Sequence, residues 1–121
     1  MFEELIARLV ANVGISEEQA GKAVGIILGF LKQAGPADKV NELFEKMPGS
    51  AELAGSGGTG GMFGGGMMAA MGAMGQMQAV GLGMGEVQGV TREIVGFARE
   101  HAGDDLVNDI VRSIPGIGQF V

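Results

Sequence analysis

Evenly spaced methionines are the residues of this sequence whose type and spacing most suggest chemistry. Met68, Met71, Met74 and Met77 recur every three residues, which places them along one side of a helix. Thioether sulfur is a soft ligand that can bind Cu(I), and the flexible side chain can adapt to varied apolar partners. Methionine also fills irregular gaps in a core or at a self-association face. Together with Met67, these residues form a candidate interaction surface.

The other reactive side chains are too few for a catalytic site. His101 is the only histidine and there is no cysteine, so one chain cannot assemble a His-bearing triad, a multi-histidine metal site or a disulfide. His101 lies in the last turn of a predicted helix, where a positive or dipolar side chain interacts favourably with the terminal carbonyl groups. Glycines near 61–66 follow no predicted strand, so they do not indicate a dinucleotide-binding loop. We predict no enzyme activity, no cofactor and no metal site.

Composition and charge narrow the class of protein and its partners. The length of 121 residues suits one small domain. Eight Lys and Arg against 14 Asp and Glu give a net charge of −6, which disfavours nucleic acid and anionic membranes. The first ten residues, "MFEELIARLV", have two glutamates where a signal peptide carries positive charge, so the expected location is the cytoplasm. The apolar run around the methionines is short and Gly-rich, so no transmembrane segment is predicted.

The sequence repeats itself at an offset of 67 residues. "VNELFEKMPG" at 40–49 returns as "VNDIVRSIPG" at 107–116. The ungapped alignment of 13–49 with 80–116 contains ten identical pairs: Val13/Val80, Gly14/Gly81, Ile27/Ile94, Gly29/Gly96, Phe30/Phe97, Asp38/Asp105, Val40/Val107, Asn41/Asn108, Pro48/Pro115 and Gly49/Gly116. This pattern indicates a tandem duplication whose copies pack about a pseudo-twofold axis.

The duplication divides one domain into two helical repeats. Repeat A spans 2–49, a Gly-rich linker spans 50–66, repeat B spans 67–116, and a tail spans 117–121. No stretch alternates polar and apolar residues with period two, so no sheet is expected. The predicted fold is all-α, with about six helices.

In repeat A, apolar spacing and end signals predict three helices. The first covers 2–12 and is followed by Gly14 at the C′ position. "SEEQ" at 16–19 is a capping box, which starts a second helix that extends from Glu17 to Ala34. "GP" at 35–36 ends this helix, and a third is expected near 37–47.

In repeat B, the same signals predict three further helices. The methionine segment is expected to be helical over 67–80, and the next helix covers roughly 85–102. The last helix carries an apolar stripe that begins at Val107, and Asp104 is its predicted N-cap.

Glycines recur every four residues within the second predicted helix, at Gly21, Gly25 and Gly29. A glycine inside a helix costs roughly 1 kcal/mol relative to alanine, so three of them require an explanation. They could support a ligand on bare backbone, or they could allow a close helix crossing. The crossing is favoured because Gly29 aligns with Gly96, as expected for equivalent helices that meet at a pseudo-twofold axis.

Two resemblances add to these expectations. The stretch "EELIARLVANVGISEEQAGKAVGIIL" at 3–28 resembles the N-terminal helical hairpin of the HU/IHF histone-like proteins. In that family the hairpin builds the dimer body, while basic β-arms grip DNA; no such arms are predicted here. The resemblance therefore implies a packing element.

The second resemblance spans nearly the whole chain. A "VGIS-E-x-Q-A" segment, a Gly/Met-rich middle and a closing segment of apolar spacing that ends in "PG" are similar to the uncharacterised bacterial VcgC/VcgE-like family and related domains of unknown function. That resemblance implies a small helical bacterial protein. It supplies no catalytic residues to transfer.

These observations together predict a non-catalytic protein. We expect self-association, as a homo-oligomer and specifically a dimer, or binding of a protein partner, through the apolar Gly/Met-rich surface. One alternative is a nucleoid-associated DNA binder, which only the HU-like hairpin favours. Another is a carrier of a soft metal or an apolar ligand, which only the methionine stripe favours.

Overall fold

The computed structural model describes residues 2–47 and 67–114, without the side chains of 33, 34, 67–71, 73 and 74. This described part contains six helices and no strand, so the predicted all-α class is confirmed. The helices are α1 Phe2–Val13, α2 Glu17–Ala34, α3 Ala37–Lys46, α4 Met67–Val80, α5 Met84–Ala102 and α6 Asp104–Ser113. The predicted linker, the tail and the two Pro-Gly ends of the repeats lie outside the described residues.

Local signals set the junction between α1 and α2, as predicted. Gly14 has a φ of 84°, and its amide donates to the Val10 carbonyl at 3.2 Å. Glycine adopts this left-handed conformation without the steric cost that other residues carry. Ser16 then caps α2: its Oγ accepts from the Gln19 amide, and Gln19 Oε1 accepts from the Ser16 amide. The predicted capping box is therefore confirmed.

The junction between α5 and α6 differs from the prediction. Asp104 was predicted as the N-cap of the last helix, but it is the first helical residue, and the N-cap is Gly103. The connection is one residue long and Gly103 has a φ of 95°, which favours glycine there. Asp104 and Asp105 instead occupy the first turn, where the helix macrodipole stabilises negative charge.

Helix α2 is the central element of the fold. Every residue from 23 to 31 is buried, so this stretch has no solvent-facing side. The helix packs against α1, α3, α4 and α5. A helix that is apolar all round must be covered on all sides, and the arrangement of the other helices follows from that need.

Contacts between the two parts of the chain dominate the packing. We call residues 2–47 the first half and residues 67–114 the second half. Helix α1 packs on α5, α2 packs on α4 and α5, and α3 packs on α6 and α5. Each helix of the first half therefore rests on a helix of the second. The helices follow the order that the duplication predicts, and the twofold superposition of the halves stays a prediction.

A small apolar cavity of about 20 Å³ lies where α2, α3, α5 and α6 meet. Its ten lining residues are all apolar and include Leu31, Leu43, Val107 and Ile110. A cavity without polar partners does not hold water favourably, so the space is a packing defect of the core.

Filling this cavity should stabilise the fold. Val107→Ile adds one carbon beside the defect, and burial of that group should raise the free energy of unfolding by about 0.8 kcal/mol. Val90 is fully buried and does not line the cavity, so Val90→Ile should instead lower that free energy by about 1–3 kcal/mol through overpacking. Urea titration of both variants measures the difference. Equal losses in the two variants would contradict the assignment of the cavity.

Candidate interaction surface

Helix α4 carries the methionine segment and is chemically unlike the other helices. It contains no charged residue and only two glutamines, so it has no strongly polar face. Among the described helices it packs chiefly against α2. Met77 is 1% exposed and belongs to the core, so this member of the predicted surface faces inward. The side chains of the other four, at 67, 68, 71 and 74, lie outside the described ones.

Helical spacing distinguishes two sides of α4. Gly75, Gln78 and Ala79 are exposed, whereas Met77 is buried. Position 71 lies four residues before Gly75 and seven before Gln78, so the helical period aligns it with the exposed side. Position 74 lies four residues before the exposed Gln78 and three before the buried Met77, so the period places it at the boundary between the two sides. We call the side that contains positions 71, 75 and 78 the outer face of α4.

The glycines of α2 are only partly explained by close packing. Gly25 and Gly29 lie in the buried stretch of α2. A Cβ at Gly21 would meet Ile6 Cδ1 at 4.0 Å, which is an ordinary contact, so Gly21 does not mark a tight crossing. A Cβ at Gly96 would meet nothing within 4 Å, so there is open space beside this glycine. Identity at aligned positions therefore does not require equal packing.

Gly35 is a close-packed glycine that the sequence reasoning missed. A Cβ there would lie 2.7 Å from the Leu31 carbonyl oxygen and 2.7 Å from Val40 Cγ2, with Ile114 Cδ1 at 3.5 Å. The "GP" pair signalled the end of α2 but gave no sign of this tight approach. The two close atoms belong to the helices on either side of Gly35, α2 and α3, whereas Ile114 of the second half is at an ordinary contact distance.

The capping residue Gln19 also connects the two halves. Its Oε1 is used in the cap of α2, while its Nε2 donates to the Val80 carbonyl at the end of α4, at 3.2 Å. The corresponding residue in the second half is Glu86, whose Oε1 accepts from the Gly83 amide at 2.9 Å. An ionised carboxylate can only accept hydrogen bonds. Glu86 therefore cannot donate to the other half as Gln19 does.

A charged cluster joins α1 to α5. Arg8 donates to Glu100 at 2.7 Å and lies 3.4 Å from Glu93. Its guanidinium carbon is 5.9 Å from the centre of the Phe97 ring. The hydrogen bond to Glu100 raises the pKa of Arg8, because the bond favours the charged form. Asn12 adds a bond to Glu93 at 3.3 Å.

A second ion pair joins α3 to α6. Lys39 Nζ donates to Asp109 Oδ2 at 2.9 Å, and both side chains are nearly half exposed. The hydrogen bond and the positive charge of Lys39 lower the pKa of Asp109. The same contact raises the pKa of Lys39. Exposed pairs of this kind contribute little stability, but they select which surfaces meet.

His101 lies in the last turn of α5, as predicted. Its ring is 4.3 Å from the ring of Phe97, which is buried and also contacts Phe2. Within the two described ranges, His, Cys, Asp and Glu form no group of three or more that could hold a metal ion. None of the described helices is long and apolar enough to cross a bilayer.

The fold and these contacts define a small all-α protein whose two halves pack on each other. Comparison of the chain with protein-family models, with curated proteins and with solved structures gives no match. The resemblances to the HU/IHF hairpin and to the VcgC/VcgE-like family therefore stay expectations from the sequence.

The contact of Gln19 with α4 gives a matched pair of substitutions. Gln19→Glu keeps the acceptor for the Ser16 amide but loses the donor to the Val80 carbonyl, so the free energy of unfolding should fall by about 1 kcal/mol or more. Glu86→Gln in the second half keeps its acceptor for Gly83 and should change that free energy by much less. Thermal unfolding of both variants checks this, and equal effects would show that the bond to Val80 is unimportant.

The ion pair between Lys39 and Asp109 predicts that the free energy of unfolding depends on pH under acidic conditions. Since the pKa of Asp109 is lower in the folded chain than the ordinary 3.8, its ionised form stabilises the fold fully above pH 3.8. This contribution is lost as the pH falls through the lower, folded value. The stability difference between wild type and Asp109→Asn should therefore shrink on acidification below pH 3.8. In a Lys39→Gln background the same substitution should show a smaller pH dependence, and an unchanged one would contradict Lys39 as the cause.

Proposed function

We propose that this protein is a non-catalytic self-association module that dimerises through the outer face of α4. The observation that carries the proposal is the contrast between the composition and the packing of this helix. It has no charged residue, yet it packs chiefly against one neighbour among the described helices. The exposed residues described on this helix, Gly75, Gln78 and Ala79, carry no charge, so a second copy could cover them without burying an unpaired charge.

The chemistry of α4 suits a second copy of the same chain. The molecule carries a net charge of −6, which opposes contact between two copies over most of their surface. Helix α4 is free of that repulsion. A twofold dimer places the same patch on both copies, so a charge-free face can meet itself without leaving a charge buried and unpaired. Binding of another protein through the same face is the alternative occupant.

The arrangement of charge gives no support to the DNA-binding alternative. Of the eight basic residues, Arg8, Lys22 and Lys39 are in ion pairs with carboxylates of the same chain. Duplex binding requires a stripe of basic side chains that can neutralise phosphates. The HU-like hairpin supplies none, because its second helix is the buried α2.

Sedimentation at rising concentration tests the proposal. We expect the wild type to sediment as a dimer, and Met71→Glu to return it to the 12.3 kDa monomer with its helicity retained. Burial of an unpaired carboxylate at the interface is the physical reason.

Met84→Glu is the charge-matched control. Met84 is 56% exposed at the start of α5, where a negative charge suits the helix macrodipole, so this variant should remain a stable dimer. A wild type that stays at 12.3 kDa at high micromolar concentration would refute dimerisation. A dimer that Met71→Glu leaves intact would place the interface elsewhere.

A further inference from the structure

The contacts between helices run mainly between the halves. Of the five side-chain hydrogen bonds described between different helices, four join the first half to the second. The exception is the bond from Arg99 to Asn108 within the second half. The largest apolar contacts are also between halves, α2 with α4 and α1 with α5. A single covalent connection, residues 48–66, links these two interlocking parts.

We propose that two copies of this chain exchange halves, so that the first half of each copy packs on the second half of the other. The interface is the one that the two halves already form within one chain, and in the dimer it forms between two copies. Every contact is retained in such a dimer because the same residues meet. This dimer uses the interface between halves and does not depend on the outer face of α4.

The charges specify that a first half meets a second half. Arg8 contacts Glu93 and Glu100, whose counterparts 67 positions earlier are Ile26 and Gln33. A first half packed on another first half in the same way would therefore place Arg8 beside no carboxylate. Complementary charge of this kind suppresses wrong pairings. Lys39 makes no such distinction, because the counterpart of its partner Asp109 is Glu42, which is also a carboxylate.

The balance between closed monomer and exchanged dimer depends on concentration. Since both forms contain the same contacts, the monomer is favoured by the effective concentration at which the connection holds its halves together. Any covalent link between two surfaces that bind each other has this effect at low chain concentration. Exchange should therefore increase when chains refold together at high concentration, and the dimer should separate slowly because its halves must part first.

Two complementary variants provide the test. One carries Arg8→Glu and Lys39→Glu, and the other carries Glu93→Lys, Glu100→Lys and Asp109→Lys. In each variant alone, like charges face each other across the interface between the halves. In the exchanged mixed dimer all of these positions face opposite charges again. We expect equal amounts, refolded together from urea, to yield mainly the mixed dimer, at twice the chain mass and with a higher melting temperature than either variant alone.

Which variants pair in the dimer distinguishes the exchange of halves from association through α4. Association through α4 alone would give a statistical mixture of the two homodimers and the mixed dimer, as native mass spectrometry would show. That result, separate monomers, or a mixture that stays unfolded would each overturn the proposal. A chain that carries all five substitutions is the control, since it restores the opposite charges within itself and should fold without a partner.

Discussion

The need to cover α2 on all sides is the constraint from which the rest of this structure follows. Its stretch from 23 to 31 contains no charged residue and is buried throughout. The first half supplies only α1 and α3 as neighbours, so α4 and α5 of the second half must complete the cover. Neither half can therefore bury its apolar surface alone, which is why the two halves pack on each other.

Charged residues at the margins of this core determine how the halves meet. The apolar contacts are not directional, whereas the bonds of Arg8 to Glu100 and of Lys39 to Asp109 join particular positions of α1 and α3 to α5 and α6. Both cations lie in the first half and both carboxylates in the second. The halves have thus become complementary rather than identical, and the same asymmetry gives Gln19 a donor where Glu86 has none.

The proposed functions depend on where the chain lacks such charges. One side of helix α4 packs on α2, and the helix has no charged residue on its other side. The two dimers that we propose use different surfaces, the outer face of α4 and the interface between the halves. The first would hold two closed molecules together, whereas the second would replace the contacts within each molecule by equivalent contacts between molecules.

The sequence by itself determined the helices and most of their ends, although it placed the N-cap of α6 at Asp104 rather than Gly103. The apolar period, the capping box at Ser16 and the left-handed Gly14 are local features, so the bounds of α2 and α4 could be predicted from neighbouring residues. Only the three-dimensional structure decided which glycine is crowded, since a Cβ at Gly35 would meet Leu31 and Val40 at 2.7 Å, while one at Gly96 would meet nothing within 4 Å. It also decided that Met77 faces the core. A period gives the direction of a side chain relative to its own helix, and the neighbour in that direction depends on how distant segments pack.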